Sequence, residues 1–179
     1  MPNRRRIDMV RDPEFSSDLD EVPLDELRKR RTLCDDLDGE LSYYRRMLHG
    51  RMDLLAFEMS RRAGTEKRSL IEALPEILAD DIRAEGKSPE PKALPIETPN
   101  IPESGRRAVD RVLGDDFLTH LPSLEDTELE EIQRALTEVE QEISAQRRDV
   151  YEAYETIHSE LTRRYRDGLA DVDSLLSSN

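Results

Sequence analysis

Two sets of polar residues with the same spacing are the part of this 179-residue sequence that could do chemistry. Each set holds an acid, a serine, an arginine, a hydrogen-bonding ring and a second acid, in steps of four, three, four and four residues. The first set is Asp38, Ser42, Arg45, His49 and Asp53, and the second is Glu140, Ser144, Arg147, Tyr151 and Glu155. On a helix these steps place all five side chains on one face. We call each set a polar stripe.

The residue types in the polar stripes suit a purine nucleotide. Arginine presents a planar fork that can bind guanine O6 and N7 together, or a phosphate. An ionised carboxylate only accepts hydrogen bonds, which matches the N–H donors of guanine. Serine can donate to a phosphate oxygen, and His49 and Tyr151 can hydrogen-bond or stack. The stripes therefore predict a guanine dinucleotide as ligand. The alternative is that they are ordinary solvated acid–arginine pairs on the flanks of a coiled coil.

Two long helices are predicted to position the stripes. Apolar residues recur in three- and four-residue steps in two segments, which is the pattern of coiled-coil contact positions. This spacing predicts one helix over residues 23–64 and another over residues 123–176. The contact positions are Leu27, Cys34, Leu37, Leu41, Tyr44, Leu48, Met52 (or Arg51), Leu55 and Met59 in the first helix, and Leu129, Ile132, Leu136, Val139, Ile143, Val150, Tyr154 (or Ala153), Ile157 and Leu161 in the second.

The two predicted helices are also related as an internal repeat. A shift of 102 residues superimposes the apolar positions, and several polar residues coincide as well. The coinciding polar residues are Glu26 with Glu128, Ser42 with Ser144, Arg45 with Arg147, Arg46 with Arg148, Glu58 with Glu160, and Arg61 and Arg62 with Arg163 and Arg164. Matching apolar positions are expected of any two coiled-coil helices, so the polar matches carry the argument. If the stripes are to meet, the two helices must run antiparallel.

The rest of the chain is predicted to contain shorter segments. Residues 1–22 are polar and lack a period, which predicts a disordered N-terminal tail. A short helix is expected over 69–86, a Pro-rich linker over 87–103 and another short helix over 104–122. No stretch alternates with the period of two that a half-buried strand needs. The fold prediction is therefore all-α: an antiparallel two-helix coiled-coil hairpin with additional short helices and a Pro-rich linker.

Composition excludes several classes of function. The net charge of −14 disfavours direct binding to DNA or to an anionic membrane. The sequence lacks a glycine-rich phosphate loop, its three histidines lie on separate segments, and its single cysteine has no partner. We therefore expect no enzymatic activity and no metal. Because no segment reads as a signal peptide or a membrane span, the expected location is cytoplasmic.

With these residues in place, the sequence resembles the RsiG family, the anti-sigma factors of sporulating actinobacteria. The family carries the pattern Glu-x3-Ser-x2-Arg-x3-Gln-x3-Asp on each helix of an antiparallel coiled coil. Serine and arginine match in both stripes, and the acids match with Asp and Glu exchanged once in each, whereas His49 and Tyr151 stand in place of the glutamine. The resemblance covers the two long helices.

The resemblance implies a ligand and a partner. The ligand would be cyclic di-GMP, with two molecules held by the ten stripe residues. The partner would be a WhiG-type sigma factor, which is sequestered in the presence of the ligand so that its transcription is repressed. Candidate sigma-binding surfaces are the apolar faces of residues 70–82 and 106–118. The competing interpretation is a ligand-independent acidic coiled-coil adaptor or scaffold, for which the apolar positions alone suffice.

Overall fold

In a computed structural model of the chain, residues 5–84 and 120–168 are described, and their regular secondary structure is helical. Four α-helices lie in these ranges: α1 Arg6–Val10, α2 Leu24–Arg62, α3 Leu70–Ala84 and α4 Asp126–Arg166. Short 3₁₀ turns cover Pro13–Phe15, Leu19–Glu21 and Leu121–Ser123. This confirms the all-α prediction. The predicted linker over 87–103 and most of the predicted helix over 104–122 lie outside the described residues.

Helices α2 and α4 are long, and their ends follow the sequence signals. Each begins with acidic residues and ends with arginines, which is the charge order that the helix dipole favours. After each helix a glycine adopts the left-handed conformation that closes a helix, with φ of +75° at Gly64 and +69° at Gly168. Helix α4 therefore ends at Arg166, short of the predicted boundary at 176, and residues 169–176 lie outside the described part of the chain.

The described residues form two compact units, which consist of residues 5–39 and 145–168 in the first unit and residues 40–84 and 120–144 in the second. In the first unit, the beginning of α2 runs antiparallel to the end of α4. Arg28 Nε lies 3.1 Å from the hydroxyl of Tyr165 at one end, and Asp38 pairs with Arg147 at the other. The buried apolar residues of this helix pair are Leu27, Cys34, Leu37, Val150, Ala153, Ile157 and Leu161.

The first unit also contains residues 5–22, for which disorder was the expectation. That expectation is wrong for these residues, because Ile7, Val10, Phe15 and Leu19 are all buried. These four residues lie in one short helix and two 3₁₀ turns. Their spacing along the sequence is therefore irregular and does not indicate a single helix. Burial of such apolar side chains stabilises the segment by about 1.5–3 kcal/mol for each fully buried residue.

The second unit contains α3, the end of α2 and the beginning of α4. Here too the long helices run antiparallel, since Arg45 pairs with Glu140 and Arg62 with Asp126. The buried apolar residues are Leu41, Tyr44, Leu48, Leu54, Leu55, Ala73, Leu121, Leu129, Leu136, Val139 and Ile143. Helix α3 begins with a capping box, in which Ser69 and Glu72 exchange hydrogen bonds.

Most predicted contact positions are buried, and the exceptions, among them Ile132 on α4, are half-buried. On α4, the small Ala153 is buried where either it or Tyr154 was expected, and Tyr154 is half-buried with its ring stacked on His158 at 5.5 Å. On α2, Met52 and Met59 are half-buried, whereas Leu54 and Leu55 are both buried. None of the described helices has the length and apolar character that crossing a membrane would need.

Candidate functional site

The second unit brings four stripe residues together around one carboxylate oxygen. Oε1 of Glu140 accepts a hydrogen bond from Arg45 Nε at 3.2 Å and one from Ser144 Oγ at 2.7 Å, and it lies 3.3 Å from His49 Nε2. Arg45 and His49 belong to α2, whereas Glu140 and Ser144 lie one turn apart on α4. The first acid of one stripe therefore contacts the arginine and the ring of the other stripe.

The contacts of Glu140 favour its ionised form. Partial burial is the largest single influence on its pKa and raises it, because burial disfavours a charged carboxylate. The hydrogen bonds from Ser144, His49 and Arg45 act in the opposite direction and together outweigh burial, so the pKa of Glu140 lies below its ordinary value. A carboxylate that stays charged can accept hydrogen bonds from a ligand.

The first unit contains a simpler pair. Arg147 Nε of α4 donates to Asp38 Oδ1 of α2 at 3.0 Å. Both side chains are more exposed than their counterparts in the second unit: 40% for Arg147 and 45% for Asp38, against 29% for Arg45 and 19% for Glu140. Within the described residues, Asp38 accepts from no other side chain. The aqueous setting weakens this ion pair, since exposed pairs of this kind contribute about 0–1 kcal/mol.

The two ion pairs occupy equivalent positions in the sequence repeat. A shift of 102 residues converts Arg45 into Arg147 and Asp38 into Glu140, so in each unit the stripe arginine of one helix contacts the first stripe acid of the other. Coiled-coil helices that merely share an apolar pattern would not need to repeat a polar contact in this way. The repeat noted in the sequence therefore has a counterpart in side-chain geometry.

The other four stripe residues do not take part in the contacts around Glu140 and Asp38. Ser42 is half-buried, and Asp53, Tyr151 and Glu155 are exposed, with 60% of Tyr151 accessible. In the described ranges none of these four side chains forms a hydrogen bond or an ion pair. Six of the ten predicted site residues are thus brought into contact, and four lie on helix surfaces accessible to a ligand.

Sequence reasoning missed a second set of paired residues. In the second unit, Glu58 is 2% exposed and accepts from Arg61 and Arg62, both at 2.8 Å. Arg62 also donates to the carbonyls of Leu121 and Leu124, which precede α4. We call the Glu58–Arg61–Arg62 group the second-unit clamp.

An equivalent group lies in the first unit. Glu160 accepts from Arg163 and Arg164, both at 2.7 Å. Arg164 donates to the carbonyls of Leu19 and Val22, which precede α2. We call Glu160–Arg163–Arg164 the first-unit clamp. In each unit a clamp therefore ties the end of one long helix to the residues that lead into the other. The signal was present in the sequence, since these residues coincide under the repeat, but no role was assigned to them.

The described residues offer little for other kinds of site. They contain no group of three or more His, Cys, Asp or Glu side chains placed to hold a metal ion. Cys34 is buried between the helices, and burial raises the pKa of its thiol to about 11, so it is protonated and unreactive at neutral pH.

A comparison with protein families gives an independent result. The model of a family described as RsiG-like matches residues 13–78. Over these residues the chain is similar to the RsiG-like family. The match includes the first polar stripe and α2, whereas the second stripe lies beyond it. RsiG-like proteins are regulatory anti-sigma factors, so the match supports an anti-sigma regulator role, with a sigma factor as partner, over a catalytic one. No curated protein matches the chain significantly.

Proposed function

We propose that the chain is an anti-sigma factor that binds cyclic di-GMP through its two polar stripes and then sequesters a WhiG-type sigma factor. The observation that carries the proposal is the repeated contact between the arginine of one stripe and the first acid of the other, at Arg45–Glu140 and Arg147–Asp38. The RsiG-like match over residues 13–78 supports the anti-sigma part of this proposal.

The chemistry of each pair suits one guanine base. The guanidinium fork can bind guanine O6 and N7, and the carboxylate beside it can accept from the N–H donors of the same or a neighbouring base. Each pair already holds these two groups within hydrogen-bonding distance of one another. Because the pairs are partly exposed, a ligand can reach them and exchange partners with them.

The surrounding stripe residues would supply further contacts. Tyr151 is exposed and can stack on a base or donate to a phosphate, and Ser42 is a second possible donor. Asp53 and Glu155 are exposed acceptors at the far end of each stripe. Negative phosphates need neutralisation on a chain whose net charge is −14, and Arg45 and Arg147 provide it locally. One dinucleotide at each arginine–acid pair would give two bound molecules per chain.

The test is calorimetric titration with cyclic di-GMP, with cyclic di-AMP and GMP as controls. The proposal predicts selective binding of cyclic di-GMP, because adenine lacks the N1–H donor and the O6 acceptor that the stripe groups would read. A WhiG-type sigma factor is then added with and without ligand, and the complex is measured by size-exclusion chromatography. Equal binding of both cyclic dinucleotides would contradict guanine recognition, and ligand-independent capture would contradict the proposed switch.

One observation favours a second candidate. Each stripe arginine already has a carboxylate partner without any ligand, as in an ordinary interhelical ion pair. A ligand-independent acidic coiled-coil adaptor would need no more than this. On that hypothesis Arg45→Ala and Arg147→Ala change only stability, by the small amounts that partly exposed pairs contribute, and neither affects partner capture.

A further inference from the structure

The two stripe pairs differ in how firmly the protein holds them. Resting on the proposed function, we propose that they take up cyclic di-GMP in a fixed order: Arg147–Asp38 binds the first molecule, and Arg45–Glu140 binds the second more weakly. The order follows from the contacts that a ligand must displace at each pair.

At Arg147–Asp38 a ligand displaces little. The pair consists of one hydrogen bond at 3.0 Å, and in the described residues Asp38 accepts from no side chain other than Arg147. Both side chains are 40% or more exposed, so water already solvates much of each charged group. When a guanine takes the place of Asp38 at the guanidinium, the protein loses one weak exposed ion pair.

At Arg45–Glu140 a ligand displaces more. Oε1 of Glu140 is shared by Arg45, Ser144 and His49, and only 19% of the Glu140 side chain is exposed. A hydrogen bond to a charged acceptor is stronger than one between two neutral groups. Partial burial strengthens it further, because the local dielectric constant is lower than that of water. Drawing Arg45 away leaves a partly buried carboxylate with fewer donors, and moving Glu140 breaks its contacts with Ser144 and His49 as well.

The difference has a consequence for regulation. The extra hydrogen bonds at Glu140 predict a dissociation constant for the second molecule about tenfold weaker than for the first, equivalent to about 1.4 kcal/mol. The protein would therefore bind one cyclic di-GMP molecule over a range of ligand concentrations. It would bind the second molecule only when the concentration rises above that range. If sigma-factor capture needs both molecules, the threshold is set by the Glu140 pair.

The experiment is a calorimetric titration of wild type, Arg45→Ala and Arg147→Ala with cyclic di-GMP. Wild type should bind in two steps with dissociation constants about tenfold apart. Arg45→Ala should keep the tighter step and lose the weaker, and Arg147→Ala should do the reverse. Thr137→Ala is the control, since Thr137 lies on α4 outside the stripes and, among the described residues, its hydroxyl donates only to the carbonyl of Gln133. Both steps should be unchanged in this variant.

Each outcome bears on a distinct claim. A single step with one dissociation constant, or loss of the tighter step in Arg45→Ala, would overturn the order while leaving cyclic di-GMP binding intact. No binding by wild type would overturn the proposed function and the order with it. If an alanine variant loses helicity, Arg45→Lys and Arg147→Lys replace it, because lysine keeps the charge and removes the planar fork. The lysine variants should show the same pattern of retained and weakened steps.

Discussion

Replacing Glu58 by glutamine should destabilise the protein, because it removes a buried charge that two arginines contact. Glu58 is 2% exposed and accepts three hydrogen bonds, two from Arg61 and one from Arg62, each at 2.8 Å. The hydrogen bonds from Arg61 are the main cause of the low pKa of this carboxyl, about 2 against an ordinary value of 4.5. Glutamine keeps the shape and removes the charge that both arginines contact.

The expected loss can be worked from these contacts. A shift of this size would correspond to about 3 kcal/mol if all of it were realised in stability. Because Arg61 is 43% exposed and can regain water, we expect Glu58→Gln to lower the free energy of unfolding by about 2 kcal/mol. The change also weakens the second-unit clamp, since Arg62 loses the carboxylate that orients it toward Leu121 and Leu124.

The effect should depend on pH with a definite sign. The folded pKa is depressed, so the stabilisation is complete above the unfolded value near 4.5 and is lost as pH falls toward 2. Urea unfolding followed by far-UV circular dichroism should show wild type and Glu58→Gln separated at neutral pH and converging through this window. The exposed Glu138→Gln on α4 is the control and should stay within about 0.5 kcal/mol of wild type. A Glu58→Gln protein as stable as wild type at neutral pH would refute the reasoning.

Three further predictions concern other parts of the fold. Arg164→Ala removes the hydrogen bonds to the carbonyls of Leu19 and Val22, so hydrogen exchange in residues 5–22 should accelerate; unchanged protection would show that the apolar contacts alone hold this segment. Cys34 should resist a thiol reagent in the native protein and react in denaturant, and fast native labelling would contradict its burial and its raised pKa. Gly39→Ala should stabilise the protein by about 0.5–1 kcal/mol, because Gly39 is inside α2 and a Cβ there would meet nothing within 4 Å; a loss of stability on thermal unfolding would contradict this.

The long helices were predictable because their evidence is periodic and local. Three- and four-residue apolar steps indicate a coiled-coil helix whatever lies around it. They did not mark the end of α4, where Gly168 follows the helix well before the predicted boundary at 176. Residues 5–22 were not predictable in this way. Their four buried apolar side chains have no regular spacing, and hydrogen bonds from Arg30 and Arg164 to backbone carbonyls help to hold them, which a one-dimensional pattern does not reveal.

The candidate site was predictable in its residues and less so in its contacts. The spacing placed Arg45 and Arg147 on matching faces, but which acid each would meet depends on the register of the antiparallel helices. The unequal burial of Glu140 and Asp38 depends on that register as well. The burial of the Glu58 carboxylate could not be predicted either, since an acid next to apolar contact positions is ordinarily assigned to the surface.

The most direct test of the central claim is the binding of cyclic di-GMP by the double variant Arg45→Ala/Arg147→Ala, compared with wild type in the same titration. Because both arginines are partly exposed, the variant should keep its helicity. The account predicts that wild type binds cyclic di-GMP and that the folded double variant does not. Equal binding by the two proteins would show that the ligand site lies elsewhere, and no binding by either would leave the paired stripes as interhelical ion pairs only.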